Sequence, residues 1–192
     1  MSDPAFVQPK WYKPAPLGYG NAIDSVSAVA SPLLAGFSLT SVIVVSDDSN
    51  NFRWPGAAAL VLAIAAIILI GAVQCGYNAR QYLWSGADAL NWWPEMENDA
   101  ELETLLREEQ VDAFHRWEDW SKWTRRTYNY GIVALLGGLG LALPPPDATA
   151  GQGGLRWAAT GVAFAACVGE VCWIVIFSRR RSAEAHKYGR ES

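Results

Sequence analysis

The chain has 192 residues, a net charge of −4, two histidines and three cysteines. That charge gives no reason to expect nucleic acid as a partner. The charged residues cluster: 25–46, 54–79 and 127–146 contain none, and 157–178 contains one, Glu170. A helix needs about 20 predominantly apolar residues to cross the hydrocarbon core of a bilayer. The expected fold is therefore an all-α integral membrane protein, a bundle of four transmembrane helices.

Residues 1–20 carry Pro4, Pro9, Pro14 and Pro16 around Trp11 and Tyr12. Proline at this density disfavours a helix and predicts an extended arm. Such an arm either stays solvated, lies along the inner membrane face or clasps a neighbouring subunit. The first span is expected over 21–46. Its apolar run begins too far into the chain, and lasts too long, for a signal peptide. Asp24, Ser27, Ser31, Ser38 and Ser41 fall within roughly 100° of one another on a helical wheel, with Leu34 completing the row. The stripe either packs against another helix through small side chains or lines a wet path with Leu34 as its dry constriction. Pro32 is positioned to kink this span.

A short connection, Asp47 to Arg53, leads to the second span over 54–79. The loop 80–126 is the largest soluble piece. Ser85 followed by Asp88 marks a helix start, and Pro94 marks its end. Trp84, Leu90, Trp92 and Trp93 suggest that this short helix lies in the interface. Asn98 followed by Glu101 is a second start signal. No proline follows until Leu143, which predicts one long amphipathic helix running on as the third span, 127–146. Leu102, Leu105, Leu106, Ala113, Trp117, Trp120 and Trp123 share one face, a candidate contact surface; Arg107, His115, Glu118 and Arg125 share the other. The short helix, the arm or another subunit would cover the apolar face.

Pro144, Pro145, Pro146 and the glycines 151, 153 and 154 mark a second short outer connection. The fourth span is expected over 155–178. Its Gly161, Ala165 and Gly169 form a row that permits close helix approach, and Gly137, Gly138 and Gly140 offer the third span the same option. Glu170 sits about 13 Å inside the basic boundary at Arg179, and Gln74 about 9 Å inside Arg80, by rise per residue. An ionisable group at such depth costs a few kcal/mol and faces protein or water. Either Glu170 bonds Gln74 or pairs with Arg80 structurally, or the three form an intramembrane polar site for an ion or proton.

The tail, 179–192, opens with Arg179, Arg180 and Arg181, suited to anionic lipid. Thirteen of the fifteen lysines and arginines fall on one side of a four-span arrangement, the exceptions being Arg53 and Arg156. The positive-inside rule makes that side cytoplasmic and places both termini there, in the cytoplasmic membrane. Cys75, Cys167 and Cys172 lie in spans and read as small packing residues. Asp112 and His115 have the spacing of a carboxylate–histidine ligand pair, but the second copy and facing carboxylates such a site needs are lacking, so no metal or cofactor is expected. No nucleophile–histidine–acid set or phosphate loop is present. The expectation is a non-enzymatic membrane protein that works by assembly, with itself or another membrane protein as partner; the alternative is an oligomeric channel or pore-forming effector.

Overall fold

The computed structural model describes the backbone of residues 11–14, 16–146 and 153–188, with side chains as far as Ile176. The first ten residues of the arm, most of the second outer connection and the side chains of Arg179 to Arg181 lie outside the described residues. Within them every regular element is helical. The long elements are α1 (Tyr19–Asp47), α2 (Pro55–Arg80), the short α3 (Gly86–Trp92), α4 (Ala100–Ala142) and α5 (Gly153–Tyr188). Three of them, α1, α2 and α5 through Ile176, are long and apolar enough to cross a membrane.

The expected third span does not meet that standard. Its helix stops at Ala142, short of 146, because Pro144 to Pro146 cannot continue it. Thr127 to Tyr130, at the other end, are polar or amphipathic. The uncharged helical stretch is thus 127–142, shorter than the sequence suggested.

Local chemistry explains the other helix ends. Pro55 opens α2, where a missing N–H costs nothing, and Arg80 lies in its last turn, where a cation faces the carbonyl end. The cap of α4 is Asp99, one residue beyond the expected Asn98: its Oδ1 accepts from the amides of Glu101 (3.0 Å) and Leu102 (3.1 Å). In α1 the turn Val26–Ala30 is π-helical. Pro32 lacks an N–H and its ring crowds the carbonyl of Ala28; the wider turn absorbs that conflict within one turn of the proline.

The chain divides into two compact units. The apolar one comprises Ser31–Gly71 and Arg126–Ser192. Its core joins Val45, Ala58, Leu62, Ala65, Leu135 and Ala142, with Leu34 and Val42 packed against it. Leu62 and Leu69 stand one heptad apart on α2; Gly138 and Gly131 stand one heptad apart on α4. A Cβ on Gly138 would lie 2.8 Å from Leu62 Cγ, and one on Gly131 would lie 2.6 Å from Leu69 Cγ. Two leucine knobs therefore enter two glycine holes, in reversed order, as an antiparallel pair requires. Phe164 of α5 seats against Gly140 in the same manner, 3.1 Å from the built Cβ. Cys167 Sγ donates to the carbonyl of Val133 at 3.6 Å. At the far end of this unit Arg156 donates to the carbonyls of Leu143 (3.0 Å) and Asn51 (3.1 Å). Arg53 lies over the rings of Trp54 and Trp157, at 5.2 and 5.9 Å.

The second unit comprises Met1–Ala30 and Ala72–Arg125. Here α1 and α2 touch where Gly76 meets Ser27; a Cβ on Gly76 would fall 2.1 Å from Ser27 Cβ.

These close approaches reverse the usual sign of a helix substitution. Replacing glycine by alanine inside a helix ordinarily gains up to about 1 kcal/mol. Gly138→Ala and Gly76→Ala are instead expected to lose roughly 1–3 kcal/mol through overpacking, read as a lowered thermal midpoint in detergent. Gly36→Ala, with nothing within 4 Å of its Cβ, is the control.

Candidate functional site

The most developed cluster of named side chains lies in the second unit, around a buried glutamine. Leu106, Gln110, Ala113, Trp117, Ser121 and Thr124 are the buried positions of the N-terminal part of α4. Their spacing of three and four residues makes one stripe. Leu106 joins Ala89 and Met96 in a small core that Trp11, Trp84 and Leu102 complete. Trp117 is packed by Phe114, at 5.1 Å between ring centroids, and by Tyr19, edge-on at 5.7 Å.

Gln110 is 2% exposed, and an amide so placed must find partners. It finds them in the arm. Gln110 Nε2 donates to the carbonyl of Tyr12 at 2.7 Å, and its Oε1 accepts the amide of Tyr12 at 2.8 Å. A third bond runs from Nε2 to the carbonyl of Trp84, at 3.3 Å. The side chain thus reads the extended backbone of Tyr12 on both its donor and its acceptor, as a neighbouring strand would. Trp11 packs edge-on against Trp84 at 6.2 Å, and Arg107 lies over its ring at 5.5 Å. Gly86 makes room for it: a Cβ there would sit 2.9 Å from the indole. Tyr12 rests between Phe114 (5.6 Å) and His115 (6.2 Å). Trp11 and Tyr12 of the arm thus dock on α3 and α4, with the Tyr12 ring still exposed.

The helix that flanks this groove is held by a reciprocal cap. Ser85 Oγ accepts the amide of Asp88 at 3.3 Å, and Asp88 Oδ2 accepts the amide of Ser85 at 2.7 Å. The Ser85 hydroxyl and amide, donating to the carboxylate, hold the Asp88 pKa below its ordinary value. Its stabilising contribution is therefore full above the unfolded carboxylate value of about 3.9 and is lost as pH falls through the lower folded one.

The candidate residues from the sequence divide as follows. Of the expected contact face, Leu106 and Trp117 are buried and Leu102 half-buried, while Leu105, Trp120 and Trp123 are exposed. The stripe is rotated from the expected one, because Gln110, Ser121 and Thr124 occupy it. Trp120, Trp123, Cys75 and Asp119 line a shallow apolar depression beside it. Arg107, expected on the solvated face, is half-buried, pairing with Glu103 and lying over Trp11. Of the serine stripe, Ser27, Ser31 and Ser38 are buried, with Leu34 and Ser41 half-buried. Ser27, Ser38 and Ser41 donate to the carbonyls of Ile23, Leu34 and Phe37, one turn back; Ser31 Oγ is buried with no partner among the described residues.

Asp24 forms an ion pair with Arg80, Oδ1 to Nε, at 2.7 Å. The partner of Arg80 is thus an aspartate in the first turns of α1. Both side chains are well exposed, so the pair contributes about 0–1 kcal/mol. Gln74 is exposed on α2, and Glu170 is half-buried on α5. The row Gly161, Ala165, Gly169 is exposed, and nothing lies within 4 Å of a Cβ built on either glycine. The face of α5 that packs within the chain is one position over, at Thr160, Phe164 and Cys167. Asp112 and His115 are exposed, and no group of three or more His, Cys, Asp or Glu among the described residues is placed to hold a metal.

Gln110 is the residue that sequence reasoning passed over. Its signal was a polar residue in register with Leu106, Ala113 and Trp117, which marks an amide facing protein rather than water. Comparisons with protein-family models, with curated proteins and with solved structures find no match for this chain.

Removal of the amide leaves the Tyr12 and Trp84 backbone groups without their partner. Gln110→Ala is expected to cost about 1–3 kcal/mol and to expose the arm. Chymotryptic cleavage after Trp11 and Tyr12 then accelerates at least fivefold in the native protein; unchanged cleavage would mean that the amide does not hold the arm.

Proposed function

We propose that the chain is a four-span protein of the cytoplasmic membrane, non-enzymatic, that works by helix–helix assembly as a homo-oligomer or as a subunit of a membrane complex. The uncharged part of α4, 127–142, serves as the remaining span, with both termini and residues 80–126 in the cytoplasm. The one-sided distribution of lysine and arginine supports that orientation. At about 24 Å this stretch is short for a span, and Tyr128 and Tyr130 suit an interfacial boundary. As a basic run in the sequence, Arg179, Arg180 and Arg181 suit the anionic lipid of the inner leaflet.

The observation that carries the assembly reading is the surface of α5. From Gly153 to Ile176 only Gly153 and Thr160 are buried. The exposed part carries the small row Gly161, Ala165, Gly169, and beside it the half-buried Glu170 forms no hydrogen bond or ion pair among the described residues. A carboxyl group at that depth is costly unless satisfied, and a small-residue row beside it lets another helix come close enough to do so. The pore reading has less behind it. Three of the four serines of the stripe, Ser27, Ser31 and Ser38, are buried within the chain, and Leu34 packs against a core.

Two substitutions separate assembly from folding. Gly161→Leu and Gly169→Leu are expected to weaken self-association at least tenfold, as particle mass in nanodiscs, while leaving the thermal midpoint of the dispersed chain within about 1 °C, since neither glycine packs within the chain. Unchanged particle mass would assign that face to lipid. Cysteine at Ser49 is expected to label from outside intact cells, and cysteine at Glu108 only after permeabilisation; the reverse pattern would invert the orientation.

A further inference from the structure

Between Arg80 and Arg107 the chain holds six carboxylates and no lysine, arginine or histidine. The same stretch carries a bare aromatic patch. The reciprocal cap and the packing of Ala89 with Met96 and Leu106 fix α3. Leu90, Trp92 and Trp93 stay outside that core, at 39%, 59% and 41% exposed. The two indoles stand edge to face, their ring centroids 5.9 Å apart. From Asn91 to Glu101 every residue but Met96 is exposed. Glu95 and Glu97 follow the indoles in the 3-10 turn Pro94–Glu97. At about 2 Å of rise per residue they lie within about 8 Å of Trp93 along that turn, one Debye length at physiological salt. Among the described residues no cation pairs with Glu95, Glu97 or Glu101.

This charge selects the occupant of the aromatic patch. Helices that lie on an anionic leaflet carry lysine and arginine around their aromatic side chains. Here the surrounding charge is negative throughout and repels lipid phosphate, and it repels nucleic acid for the same reason. It attracts guanidinium groups, which also stack on indole faces.

We propose that the outer face of α3, with Leu90, Trp92 and Trp93 at its centre and Glu95, Glu97 and Glu101 on its rim, is a docking surface for an arginine-rich segment of a partner protein. The carboxylates steer the segment and pair with its side chains at the rim. The indoles receive guanidinium planes and their aliphatic stems at the centre. This face uses none of the α5 residues proposed for assembly, so either contact stands without the other.

The test uses the full chain in nanodiscs of zwitterionic phosphatidylcholine, which offers a basic peptide no anionic lipid. Rhodamine-labelled nona-arginine is titrated in and followed by anisotropy. Saturable binding is expected, weakened at least tenfold by Trp92→Ala combined with Trp93→Ala and at least fivefold by Glu95→Gln combined with Glu97→Gln. All four side chains are exposed, so the thermal midpoint should stay within about 2 °C. Glu108→Gln combined with Glu109→Gln removes the same charge further along α4 and is expected to change binding less than twofold. Absence of saturable binding would overturn the site, as would binding indifferent to the indoles. Equal weakening by the two carboxylate pairs would mark a diffuse field and overturn it too. Brominated lipid in the same nanodiscs is expected to leave the emission of Trp92 and Trp93, taken as the difference from the double alanine variant, unquenched; quenching would give this face to the membrane.

Discussion

In the proposed four-span arrangement one stripe along α4 serves two solvents, and the packing around that helix follows from it. Buried positions recur from Leu106 to Ala142 at the helical period, but their chemistry changes partway along. In the C-terminal part they are Gly131, Leu135, Gly138, Gly140 and Ala142. In lipid, apolar side chains gain nothing from leaving their solvent, so association depends on close packing. Glycine holes that admit Leu62 and Leu69 meet that requirement. In the N-terminal part the same stripe carries Leu106, Ala113 and Trp117, whose burial is driven by water, and Gln110, Ser121 and Thr124, which need partners or tight enclosure.

The polar members of the stripe account for the arrangement around the groove. Gln110 has two functional ends on one amide, and the backbone of Tyr12 satisfies both. The amide also takes in the carbonyl of Trp84, so the arm and the segment leading into α3 converge on the same side chain. The indoles of Trp11 and Trp84 then cover the apolar cluster beneath. Thr124 returns its hydroxyl to the carbonyl of Trp120, one turn back. The docked arm is held by one residue's need for partners.

The apolar helices α1, α2 and α5 were legible as runs with little or no charge, and the start of α3 was legible from Ser85 and Asp88, because these features depend on neighbouring residues alone. The long helix α4 was visible as a stretch free of proline. The identity of its buried stripe was not. Wheel positions one residue apart differ by 100°, so Trp120 and Ser121, or Trp123 and Thr124, compete for the same face, and hydrophobicity favours the tryptophans. Packing chose the smaller serine and threonine, leaving the indoles at the surface. The glycine row of α5 illustrates the same limit. Gly161, Ala165 and Gly169 show which face permits close approach, whereas Phe164 and Cys167 show which face is used within the chain. The pairing of Asp24 with Arg80 joins residues 56 positions apart and carries no local signal.

The proposed four-span arrangement stands on α4 passing from water into the bilayer near Thr127, so that one stripe packs by two different rules. Spin labels placed singly at Glu108, Asp112, Ile132, Leu136 and Leu139 in nanodiscs measure it through relaxation by oxygen, which concentrates in lipid, and by a water-soluble nickel chelate. The account predicts that nickel dominates at Glu108 and Asp112, that oxygen dominates at Ile132, Leu136 and Leu139, and that the crossover falls within one turn of Thr127. Nickel accessibility at Leu136 equal to that at Glu108 would place the whole of α4 in water and contradict it.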